Sequence, residues 1–208
     1  INIDFENVYL KTKDFFTQFV RELYPVFKEE GMSVSVDITA ISTSENWSMF
    51  YDRQRLSNTV DYMILMAYDQ HWASSPVAGS VAQYSWVEDS LQGVLQYIPN
   101  EKLILGVPFY SRLWLEEDNK ISSQALFMET ANRFIEENKI DLTWDEESMQ
   151  YYGELRKDNV LYRIWLENAK SIEMKASLIH KYNLAGVASW RKGFETADVW
   201  HSLDRVLN

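Results

Sequence analysis

The chain has 208 residues, 46% hydrophobic and 25% charged, which is enough for one well-packed core in an ordinary globular composition. Its net charge of −11 argues against nucleic acid and other polyanionic partners, which need a basic face, and against an anionic membrane surface. No Cys is present, so disulfides and thiolate metal sites are excluded, and no apolar run is long enough to span a bilayer. Eight Trp and twelve Tyr suit either a generously packed core or the flat apolar faces of sugar rings.

Strand and helix patterns alternate along the chain. Residues 1–6 alternate with period two and predict a strand. Residues 12–30 predict a helix with Phe15, Phe16, Phe19, Val20, Leu23, Val26 and Phe27 as its apolar positions, Pro25 as a kink and Gly31 as its end. A strand at 32–38, a short helix at 51–58 and a buried strand at 60–68 follow. The loop at 71–81 is rich in Ser, Gly and Pro; a helix at 85–97 and a buried strand at 102–110 come next. Residues 111–159 are polar and irregular, with helices expected near 123–138 and 145–154 and a short strand at 161–166. The chain closes with a helix at 168–182, a strand at 184–190 and a helix at 197–207.

Repeated βα units with buried strands imply an α/β fold on a parallel sheet, either open and doubly wound or closed as a barrel. No Gly-rich phosphate loop follows a strand, which weakens a nucleotide-binding sheet. Glu6, Asp37, Tyr68, Asp69, Tyr110 and Trp190 gather at the C-terminal ends of strands, where a (β/α)8 barrel builds its active site. On the first strand Asn2, Asp4 and Glu6 share one face, and Ile1, Ile3 and Phe5 the other. With the apolar face packed on helices, the polar face points inward, and crowded buried carboxylates retain a proton as a general acid must. An exposed edge strand with its polar side in water is the alternative.

Ile1-Asn2-Ile3-Asp4-Phe5-Glu6 resembles the end of the strand-four signature of the family 18 glycoside hydrolases, the chitinase family, with Asn2 where many members have Asp. Met66-Ala67-Tyr68-Asp69 resembles the strand-six motif, and Gly79-Ser80-Val81-Ala82 the loop after it. Gly106-Val107-Pro108-Phe109-Tyr110-Ser111-Arg112 resembles strand seven, and Ala185-Gly186-Val187-Ala188-Ser189-Trp190 strand eight. The wording is most similar to the bacillus-type branch, which includes spore cortex-lytic N-acetylglucosaminidases.

The resemblance implies a (β/α)8 TIM barrel of which strands four to eight are present, residues 1–208 forming the C-terminal part of one catalytic domain with an insertion at 111–160. It implies strands one to three before Ile1; without them both sheet edges would lie open, and the chain alone is expected to associate or fold poorly. It implies a retaining, substrate-assisted hydrolase of β-1,4-linked N-acetylglucosamine, in peptidoglycan, spore cortex or a chitin-like polymer. Glu6 is the expected acid, Asp4 orients the substrate's acetamido group, and Tyr68 donates a hydrogen bond to it. Asn2, Asp69, Tyr110, Arg112 and Trp190 are expected to bind substrate. No metal or cofactor is implied, the polysaccharide is the partner, and the expected place of action is outside the cell or in the spore envelope or wall. With Asn2 for Asp, the carboxylate stack beside Asp4 loses one charge. A lectin-like binder on the same barrel is the competing function; members of that kind usually lack the acid that Glu6 supplies. For Arg112, pairing with a carboxylate or substrate competes with solvation. For Trp114 and Trp144, sugar platforms compete with a small core.

Overall fold

The computed structural model describes residues 1–118 and 120–207. The chain divides into two compact units. The first comprises Ile1–Ala67, Asp89–Gly106 and Ile179–Ala188; the second comprises Tyr68–Glu88, Val107–Leu178 and the chain from Ser189 on.

The regular elements alternate as the periodicity predicts. Strand β1 (Asn2–Ile3) leads to α1 (Lys13–Glu29), β2 (Ser35–Thr39), a wide π-type turn at Glu45–Met49, and α2 (Arg53–Ser57). Asp52 caps α2 by accepting a hydrogen bond from the Arg55 amide. Strand β3 (Tyr62–Met66), α3 (Tyr84–Val94) and β4 (Leu103–Pro108) come next. Gly31, at φ +72°, ends α1, with the Gly31 and Met32 amides closing back on the Lys28 and Phe27 carbonyls.

Beyond β4 the chain departs from the expected helices. It builds β5 (Tyr110–Glu117), β6 (Lys120–Phe127), α4 (Met128–Asn138), β7 (Leu142–Asp145), β8 (Gln150–Lys157) and β9 (Val160–Leu166). The helix expected from residue 123 therefore starts at Met128, and the one expected at 145–154 is a hairpin arm. These strands form an antiparallel sheet in the order β6-β5-β9-β8-β7. Leu113, Leu126, Ala131, Ile135, Ile140, Ile164 and Leu166 make its core with α4. Helices α5 (Ala169–Ala176) and α6 (Leu178–Tyr182), strand β10 (Gly186–Trp190) and α7 (Asp198–Leu207) complete the chain.

The other sheet has the order β1-β2-β3-β4-β10, with the β1–β2, β2–β3 and β3–β4 pairs parallel. This order follows the chain and never reverses, so the switch point of a doubly wound nucleotide-binding sheet is missing among the described residues. Val34, Val36, Ile38, Met63, Leu65, Leu103 and Leu105 are buried, at the alternate positions that share one face of each strand. Among the described residues the sheet ends at β1 and β10.

The edge position of β1 changes the expected packing there. Only Asn2 and Ile3 pair with β2, and only Ile3 of the apolar face is buried; Ile1 and Phe5 are half exposed. Phe5 stacks on Phe19 and tilts against Phe16 of α1, while Phe15 and Val26 stay exposed. No helix among the described residues is long and apolar enough to cross a membrane.

Candidate active site

In the first unit, Asn2, Asp4 and Glu6 are solvent-exposed on their shared face. The Asn2 Nδ2 donates to Asp37 Oδ2 at 2.7 Å, and the Ser35 hydroxyl donates to Asn2 Oδ1 at 2.7 Å. Both partners lie on β2, two residues apart and therefore on one face. Asp37 is buried, and its Oδ1 has no hydrogen-bond partner among the described residues. Burial pushes its carboxyl up to about 6, against the Asn2 hydrogen bond and with the charges of Asp4 and Glu6 adding to the rise. The Tyr51 hydroxyl donates to the Phe5 carbonyl at 2.9 Å, which fixes the backbone between Asp4 and Glu6. Burial first, then the Glu6 and Asp4 charges, push that hydroxyl up. Arg53 lies under the Tyr51 ring at 5.7 Å and donates to the Thr39 and Ser48 carbonyls; burial lowers it to about 10. Asp4, Glu6, Asp37 and Tyr51 thus share one electrostatic neighbourhood, in which Asp37 keeps its proton up to about pH 6.

In the second unit, Tyr110 Oη donates to Asp69 Oδ1 at 2.7 Å. The Arg112 guanidinium lies 3.7 Å from the same oxygen and donates to the Ser123 hydroxyl at 3.2 Å, so Arg112 pairs with a carboxylate rather than standing in solvent. Burial raises the Tyr110 hydroxyl well above its ordinary range, and Asp69 and Tyr68 add to that rise. Asp69 sits in the left-handed backbone region at φ 57°, where the chain leaves β3. Trp190 is half exposed at the end of β10, and its carbonyl accepts from the Phe109 amide at 2.8 Å.

The loop after β3 has a steric reason for its Gly. A Cβ at Gly79 would meet the His71 ring at 2.3 Å, and His71 Nδ1 is 2.9 Å from the Ser80 carbonyl. Trp114 donates its indole N–H to the Gly79 carbonyl at 2.8 Å and is fully buried, so it is core and not a sugar platform. Trp144 is partly buried, with Lys170 Nζ 3.4 Å from its ring centroid and Tyr151 against its edge.

Tyr51 has no signal in the sequence beyond its helix-flanking position. Asp37 is legible as a carboxylate at the end of a strand whose neighbours Val34, Val36 and Ile38 are apolar, but its bond to Asn2 is not.

Residues 1–194 match the model of Glycosyl hydrolases family 18. The chain is 27% identical over 98% of its length to an uncharacterized glycosylase, YvbX, of Bacillus subtilis, covering 60% of that protein. It is 24% identical over its whole length to the cortical fragment-lytic enzyme of Bacillus subtilis, covering 49% of it. It is also similar to the crystal structure of a chitinase from Chromobacterium violaceum, with a TM-score of 0.89 and 26% identity, covering 100% of this chain and 65% of the other. The chain thus spans less than two thirds of the length of these relatives. With the match extending over nearly all of its residues, the chain belongs to glycosyl hydrolase family 18.

Proposed function

We propose that this chain is part of a retaining glycosidase that cleaves β-1,4-linked N-acetylglucosamine in peptidoglycan, spore cortex or a chitin-like polymer. The observation that carries this reading is the carboxylate neighbourhood of Asp4, Glu6 and Asp37, in a chain whose family hydrolyses glycosidic bonds. Glu6 protonates the leaving glycosidic oxygen. The substrate's acetamido oxygen attacks the anomeric carbon, forming an oxazolinium ion, and Glu6 then takes a proton from the incoming water. Asp4 orients the acetamido group, and Tyr68 donates to its oxygen. Asn2, Asp69, Tyr110, Arg112 and Trp190 bind the sugar. Kinship with a cortical fragment-lytic enzyme supports action in the spore envelope or cell wall.

The same reading makes the five-stranded sheet strands four to eight of a (β/α)8 barrel, with residues 111–160 as an insertion in one catalytic domain. The open edge at β1 and the exposed Ile1, Phe5 and Phe15 beside it are the surface that further strands and helices would cover.

Turnover of a chromogenic N-acetylglucosaminide tests the function. Glu6→Gln should keep the fold and lose activity by about a hundredfold or more. Near-wild-type turnover in that variant would place the acid elsewhere. Binding without turnover in the unaltered protein would instead make this a lectin-like member.

A further inference from the structure

The Asn2–Asp37 pair bears on the reaction once Glu6 is its acid and Asp4 its orienting carboxylate, and its role rests on that reading of the site. In the register of β1 on β2, Asn2 lies opposite Ser35 and Ile3 opposite Val36. The paired register ends there, and the charge of Asp4, the next residue, acts on Asp37. The Asn2 amide cannot ionise, yet it is fixed at both ends: its oxygen accepts from Ser35 and its nitrogen donates to Asp37. The Asn2 amide therefore joins β1 to a buried carboxylate on the neighbouring strand whose charge is coupled to those of Asp4 and Glu6.

We propose that Asp37 is a positioning residue of the glycosidase reaction, a buried carboxylate held by the Asn2 amide whose charge couples to those of Asp4 and Glu6. Four observations support the assignment. Asp37 is buried, whereas Asp4 and Glu6 are exposed. Its Oδ1 is buried without a hydrogen-bond partner among the described residues, a costly arrangement for a full negative charge and a lesser one for a carboxyl that carries a proton. Burial and the two neighbouring charges do keep that proton on Asp37 to about pH 6. Among the described residues the charges acting on it are those of Asp4 and Glu6, with Tyr51 sensing its charge in turn, and its β3 neighbour in register is the apolar Ile64. Carboxylates coupled in this way titrate as a set, and removing one member moves the apparent values of the rest.

The test is the pH dependence of kcat/KM on a p-nitrophenyl chitobioside for the full chain, compared with Asp37→Asn, with Asn2→Asp in the Asp37→Asn background, and with Glu6→Gln. Removing the Asp37 charge weakens the hold on the acid's proton, so the alkaline limb of the Asp37→Asn profile should move to lower pH by roughly half a unit or more. The double variant returns a carboxylate to the Asn2–Asp37 pair from the other strand and should bring the limb back. A limb that stays at its wild-type position in Asp37→Asn, even with a lower rate, overturns the proposal, as does a double variant that recovers nothing. If Asp37→Asn does not fold, carboxyl-carbon NMR on the unaltered chain decides. Matched inflections at Asp37 and at Asp4 or Glu6 support shared titration, and a single isolated inflection at Asp37 overturns it. Glu6→Gln separates the levels. If it is inactive while Asp37→Asn keeps the wild-type profile, only the role of Asp37 fails; if it stays active, the site assignment itself fails and takes the role of Asp37 with it.

Discussion

Lys175 and Glu167 face one another with both side chains fully buried, the Lys175 ammonium donating to both Glu167 oxygens at 2.9 Å. Gln150 and Ser171 donate to the same carboxylate at 2.8 and 2.6 Å, and the Glu167 amide donates to Ser111 at 2.8 Å. Gln150 in turn accepts from Ser80 in the loop after β3. The network fastens β8, the end of β9, α5 and that loop together without any surface charge.

Breaking the pair from one side strands a buried charge. Lys175→Met is expected to destabilise the protein by about 3–5 kcal/mol, whereas Lys175→Met with Glu167→Leu should recover much of that loss. Chemical denaturation of the two variants checks it. A single variant as stable as the unaltered protein would mean that the pair contributes nothing net.

Gly106, in the middle of β4, makes a second prediction. A Cβ there would lie 2.6 Å from the Leu65 carbonyl oxygen, a backbone atom that cannot step aside without disturbing the β3–β4 ladder. At Gly186 a Cβ would meet nothing within 4 Å. Gly106→Ala should therefore cost about 1–3 kcal/mol, the usual scale of overpacking, while Gly186→Ala should be near neutral. Equal thermal shifts in the two variants would contradict the packing argument.

Asp37 also links folding to pH. Its carboxyl is raised from 3.8 to about 6 in the folded protein, so the native state binds a proton there that the unfolded chain has released. The stability from this group is full below the unfolded value and is lost as pH rises through about 6. Asp37→Asn removes that dependence. Across this window the variant should gain roughly 1–3 kcal/mol on the unaltered protein, with the gap widest above it. Melts at a series of pH values check the sign. A gap that narrows as pH rises would contradict it.

The sequence carried the parallel sheet because β3 and β4 are nearly continuous apolar runs alternating with helical segments. It carried the strand at Asn2 and Ile3 but not its place at the sheet edge, where Asp4 and Glu6 are exposed rather than turned inward. The second sheet was hidden because β6 reads Ile121-Ser122-Ser123-Gln124, a mostly exposed strand with no apolar alternation, running straight into the amphipathic α4. Pattern alone then extends the helix backward over the strand. Lys175 was hidden for a similar reason: a Lys in an amphipathic helix reads as surface until its partner is known, and Glu167 lies outside that helix. The Asn2–Asp37 bond joins strands 35 residues apart in the chain, and nothing local to either strand announces it.

A substrate-assisted double displacement with Glu6 as its acid is tested most directly by the anomeric configuration of the first product. Proton NMR during early turnover of a chitin oligomer or a purified peptidoglycan by the unaltered protein should show the β-anomer appearing first, with the α-anomer growing in only as the product mutarotates. An initial α-anomer would mean a single displacement by water and would contradict the account.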